Sequence, residues 1–129
     1  MAHRSRLAGF IIDCEGGSLG TAADFWAAAL GMPVTDADEG GNDKYAVLDA
    51  SARGLHVEVQ KVEHPPRVHL DIESDDIEAE AARLIALGAK EIARPHGSRW
   101  IVLEAPTGHR LCVIRTRTKL DSENANVHE

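Results

Sequence analysis

Apolar residues along the chain recur with two spacings, and the alternation between them happens twice. Residues 7–13 form a short apolar run rich in β-branched side chains, which predicts a strand. Gly16 and Gly17 end it, and Ser18 or Thr21 is placed to cap a helix. Leu19, Ala22, Phe25, Trp26 and Ala29 then fall on one helical stripe, which Leu30-Gly31 stops just ahead of Pro33. Residues 36–43 read as an acidic, glycine-rich loop. Residues 45–48 and 55–62 read as strands joined around Arg53-Gly54.

Pro65-Pro66 cannot continue a hydrogen-bonded ladder and marks a connector. The order then repeats. Residues 68–73 alternate strictly, and Ser74, Asp75 and Asp76 offer caps. Ile77, Ala81, Leu84 and Ile85 share a helix face that Leu87-Gly88 stops. Residues 90–94, 100–104 and 110–115 are the remaining strands, the last two around a turn at 105–108. Gly9 answers His69, Gly31 answers Gly88 and Gly54 answers Gly108. Two βαβββ copies too small to bury a core alone give an α+β domain at 7–115, with copies at about 7–62 and 68–115. A polar tail at 116–129 is expected to be disordered or to cross to a partner.

Alternation sorts the polar residues by face. In 55–62, Leu55, Val57 and Val59 oppose His56, Glu58 and Gln60. In 68–73, Val68, Leu70 and Ile72 oppose His69, Asp71 and Glu73. The apolar rows are expected to meet the helices. The polar rows then share the other surface, with Asp13 able to join from the first strand and Trp100 placed to line it. Histidine with carboxylates is a usual donor set for a divalent metal and equally supplies a general base. The same row is also what the wet side of a half-exposed sheet carries. His3 and His128 are terminal, His64 sits in the connector, and His96 and His109 fall in turns, so these carry less weight.

Composition narrows the picture. The chain has 129 residues, enough for one domain with its own core, and 43% of them are hydrophobic. The net charge is -7, with acid spread along the chain, which excludes a nucleic-acid partner needing clustered Lys and Arg. Cys14 and Cys112 stand alone without metal-ligand spacing, which fits a reducing, cytoplasmic setting. No signal peptide or membrane span is read in the sequence, so no membrane partner is expected.

The run from Leu7 through Phe25-Trp26 to Leu30-Gly31 resembles the vicinal oxygen chelate superfamily, which comprises glyoxalases, bleomycin resistance proteins and dioxygenases. So does the run from His69-Leu70-Asp71 through Leu87-Gly88 to Pro106-Thr107-Gly108-His109. The closer likeness is to the small glyoxalase-like branch. The resemblance implies paired βαβββ modules forming a U-shaped, cup-like mixed sheet with helices outside, a small-molecule ligand and a homodimer. It implies metal-ligand positions at or beside Gly9, at Glu58 or Gln60, at His69 and at Cys112. Gly9 has no donor and Cys112 replaces the usual carboxylate. The expectation is therefore a binder of a small organic molecule without the standard metal. The cup would be lined by His56, Glu58, Gln60, His69, Asp71, Trp100 and Cys112. The alternative is a divalent-metal-dependent lyase, isomerase or dioxygenase using His69 with Glu58.

Overall fold

The computed structural model describes residues 2–95 and 99–129, so His96 lies outside the described residues. Among the described residues are two α-helices and nine strands, an α+β arrangement in which the order strand–helix–three strands occurs twice. The chain divides into two compact units, residues 9–69 and residues 1–8 with 70–129. Two strands, β1 (His3–Glu15) and β5 (Arg67–Ser74), contribute to both.

In the unit of residues 9–69, β1 is followed by α1 (Leu19–Leu30), β2 (Val34–Glu39), β3 (Tyr45–Leu48) and β4 (His56–Val62). The strand order is β2-β3-β4-β1, with β1 parallel to β4 and the other pairs antiparallel. Ser18 caps α1 by accepting from the Thr21 amide, and Gly31 closes it at φ 68°, a left-handed conformation that suits glycine. Leu19 and Ala23 bury against Ala46, Leu48, Val57 and Val59, with Trp26, Phe10 and Cys14 packed around them. Phe25 departs from the expected stripe. It is exposed and meets Trp26 edge-on at 5.1 Å, because Ala23 takes the inward position. The expected loop at 36–43 is also corrected: 36–39 belong to β2, an edge strand paired to β3 with two register shifts.

In the other unit, β5 is followed by α2 (Ile77–Ala86), β6 (Lys90–Ala93), β7 (Trp100–Glu104), β8 (Arg110–Arg115) and β9 (Asn126–His128). The order is β1-β5-β8-β7-β6, with β5 parallel to β8 and β9 antiparallel to the start of β1. Asp76 caps α2, accepting from the Ala79 amide at 3.0 Å. Ile77 and Ala81 bury against Ile101, Leu103 and Val113. Two expectations change here. The tail is not wholly irregular, since β9 adds to β1. The apolar row of β5 is not covered by a helix: Val68 and Leu70 are 46% and 47% exposed, while Asp71 and Glu73 are buried. The buried residues of α2 pack instead on Ile101, Leu103 and Val113 of β7 and β8. Arg6 Nε, 3.0 Å from Glu73 Oε1, compensates the buried charge. Among the described residues no helix is long and apolar enough to cross a membrane.

Candidate functional site

Paired residues in a sheet point to the same side, so the ladder registers define the polar face. In residues 9–69, Gly9, Ile11 and Asp13 stand opposite His56, Glu58 and Gln60. Val47 and Tyr45 extend the same rows on β3, and Glu39 continues them on β2. The alternate rows carry Val57, Val59, Ala46 and Leu48 into the core under α1. The sorting expected from alternation in 55–62 is therefore what the structure has. This polar face is not a solvated surface, however: Glu58 is 7% exposed and Asp13 only 2%.

Three features organise the face. His56 Nε2 lies 3.5 Å from Glu58 Oε2, and with Glu39 these side chains bring three potential ligand atoms within 4.8 Å of one another. Gln60 donates to the Tyr45 hydroxyl at 3.1 Å. His69 Nε2 lies 2.9 Å from Asp13 Oδ1, and since a carboxylate only accepts, the imidazole donates from Nε2 and keeps its lone pair on Nδ1. On the far oxygen of Asp13, His64 Nε2 and Arg67 Nε each stand at 3.7 Å. That oxygen is buried without a hydrogen-bond partner among the described residues.

The remaining expected site residues belong to the other unit. Asp71 faces Cys112 across the β5–β8 ladder, Val102 faces Cys112 from β7, and Trp100 faces Ile114. Asp71, Cys112 and Trp100 thus share one side of that sheet, and Asp71 is buried. The seven residues expected to line one cup divide into His56, Glu58, Gln60 and His69 in one unit and Asp71, Trp100 and Cys112 in the other.

Of the metal positions implied by the superfamily resemblance, the one at Gly9 offers no donor. At Gly9 a Cβ would lie 1.7 Å from the carbonyl oxygen of His56, so the position has no side chain and no space for one. His69 donates from Nε2 to Asp13, which leaves Nδ1 as its potential ligand atom, but the trio that includes Glu58 is completed by His56 and Glu39 rather than by His69. Glu39 escapes the sequence reading because it lies in a stretch taken as loop.

A second polar cluster was also missed. Glu80, fully buried on α2, takes Arg83 on both oxygens at 2.8 Å and His3 Nε2 at 2.8 Å. Burial alone would raise its carboxyl. Hydrogen bonds from Arg83, His3 and Ser5 and the charge of Arg83 outweigh that, holding it at about 2. Ser5 Oγ donates to Glu80 and therefore accepts from His128 Nε2, 2.9 Å away. The terminal histidines, given little weight in the sequence, are thus fixtures of a buried network. Burial pushes the Cys14 thiol up, and its Sγ stands 3.7 Å from the Ile12 carbonyl oxygen.

Residues 10–114 match the family model described as a glyoxalase-like domain. No curated protein matches the chain. Among solved structures it is similar to methylmalonyl-CoA epimerase from Mycobacterium tuberculosis, with TM-score 0.63 and 16% identity over 87% of this chain and 88% of that one. It is also similar to a hypothetical protein from Bacillus halodurans, with TM-score 0.64 and 12% identity over 92% and 99% of the two chains. Homoprotocatechuate 2,3-dioxygenase from Brevibacterium fuscum matches with TM-score 0.62 and 15% identity over 92% of this chain, which spans 38% of the dioxygenase.

Proposed function

The chain belongs to the glyoxalase-like domain family, within the vicinal oxygen chelate superfamily, and on that premise we propose that it binds a small organic molecule without the superfamily's usual metal set. The ligand would lie on the polar face carrying His56, Glu58, Gln60 and His69. The observation that carries this reading is Gly9, where the first-strand ligand position has no donor and no room for one. The polar groups around it act as fixed hydrogen-bonding partners. His69 presents an acceptor at Nδ1, set by Asp13, and Gln60 is anchored by Tyr45. In the second unit the counterpart row is Asp71, Cys112 and Trp100. A homodimer belongs to the same reading and is tested by light scattering.

Thermal-shift screening of untagged protein against metabolites and antibiotics tests the proposal. A stabilising ligand whose effect is lost in His56→Ala and Gln60→Ala is expected. A panel in which no compound stabilises the protein would contradict it.

A second reading rests on a separate observation, the closeness of Glu39, His56 and Glu58. One imidazole and two carboxylates form a donor set suited to a divalent cation, which when bound would polarise a ligand oxygen as a Lewis acid. Stoichiometric metal retained in His69→Ala and lost in Glu39→Ala would favour this reading over the first.

A further inference from the structure

Among the described residues, Arg67 is the one Lys or Arg side chain lining a groove beside the polar face, and the polar-face reading does not use it. The groove, of about 430 Å³, lies against α1, where Ile12, Trp26, Pro66 and Val68 supply apolar walls, Asp13 a buried carboxylate and Arg67 a half-exposed guanidinium. Glu15, the other charged residue along it, is exposed to solvent. Small-molecule sites have this volume and this mixture of apolar wall and few polar groups. Val68, nearly half exposed although β-branched and in a strand, contributes apolar surface that no helix covers.

The guanidinium is held along one edge. Its Nε lies 3.7 Å from Asp13 Oδ2, and its Nη2 lies 3.4 Å from His64 Nε2. His64 donates from Nδ1 to the Pro65 carbonyl at 2.8 Å, so its Nε2 is the lone-pair nitrogen and accepts from Arg67. Asp13 in turn accepts its nearer hydrogen bond from His69, at 2.9 Å, and comes no closer to Arg67 than an unbonded ion pair. Arg67 is therefore oriented by a buried carboxylate that does not saturate it. The donors on Nη1 have no hydrogen-bond partner among the described residues. A planar fork presented in this way matches a carboxylate. Trp26 is held as the facing wall by packing on the core under α1 and by its edge-on contact with Phe25.

We propose that this groove is a binding site for a small organic carboxylate with an apolar body. The carboxylate would pair with Arg67 and the body would lie on Trp26, Pro66 and Val68, while Asp13 and His64 act as positioning residues. The site goes beyond the reading above, because its apolar walls include Ile12 and Trp26 on the α1 side of β1, while His56 and Glu58 are not among its lining residues; Asp13 is the residue it shares with the polar face.

The test is an NMR titration of the full chain with 3-phenylpropionate, observing the indole N–H signals of Trp26 and Trp100 and the imidazole signals of His56. The expected result is a saturable shift at Trp26 with Trp100 and His56 unmoved. Affinity should fall roughly tenfold or more for the uncharged 3-phenylpropionamide and for Arg67→Gln, the loss of one charge-assisted bond. Propionate, which keeps the charge and lacks the body, should also bind more weakly. Arg67 is half exposed, so the variant should fold as the parent does. The proposal is overturned if no saturable shift appears at Trp26, if the amide binds as well as the acid, or if Arg67→Gln leaves affinity unchanged. A shift at His56 in place of Trp26 would also overturn it while supporting the polar-face reading, so the two stand or fall separately.

Discussion

Replacing Glu80 by Gln keeps the shape of the side chain and removes its charge from a buried polar cluster. Glu80 is fully buried, and its partners hold it at about 2 against an ordinary 4.5. At about 1.4 kcal/mol per pH unit, that gap corresponds to about 3 kcal/mol of stability. The size agrees with the roughly 3–5 kcal/mol expected when one partner of a buried ion pair is removed and the other stays charged. Because the folded value lies below the unfolded one, this stability is fully present above pH 4.5 and is lost as pH falls through about 2. Urea denaturation of wild type and Glu80→Gln, run at pH 7 and at steps down to pH 2, measures both. The variant should be about 3 kcal/mol less stable at neutral pH, and the gap should close between pH 4.5 and 2. A difference under about 0.5 kcal/mol at pH 7, the size of an ordinary surface change, would refute the reasoning. So would a difference that does not vary with pH.

Gly9→Ala places a Cβ 1.7 Å from the His56 carbonyl oxygen, so the β1–β4 ladder must move; a loss of more than about 2 kcal/mol is expected by chemical denaturation. Gly9→His, which puts a ligand side chain at the position that lacks one, should destabilise likewise and bind no additional metal. Deleting residues 126–129 removes β9 and the His128 link through Ser5 to Glu80; amide exchange at residues 3–5 should accelerate at least tenfold, and unchanged protection would contradict the assigned pairing. Asp76→Ala removes the α2 cap and should cost about 1 kcal/mol in the same denaturation assay.

Much of the architecture was legible because glycine marks the repeat. Gly31 and Gly88 both follow a helix with positive φ, at 68° and 118°, and Gly54 and Gly108 both sit in turns at 68° and 87°. Strands β7 and β8 also have the bounds that their apolar runs imply. The pattern failed where a strand adds to an edge already in place. Residues 36–39 and 126–128 and the polar start of β1 gain backbone hydrogen bonds from a neighbour, so they need no apolar row and show none. The candidate site divides the same way. The face of His56, Glu58 and Gln60 could be read from alternation, since Val57 and Val59 had to be core. The bond between His69 and Asp13 spans 56 residues, and the burial of Glu80 depends on His3 and Arg83. Such long-range partners leave no local signal. Gly9 looked like a mere absence of a ligand in the sequence, and the structure supplies the reason: the backbone of β4 occupies the space.

The central claim, binding of an organic ligand without the superfamily's metal set, meets its most direct test in the metal content of untagged protein. Wild type and His69→Ala are each equilibrated with manganese, iron, nickel and zinc, dialysed, and analysed by inductively coupled plasma mass spectrometry. The account predicts no stoichiometric metal that depends on His69. One divalent ion per chain in wild type, lost in His69→Ala, would contradict it.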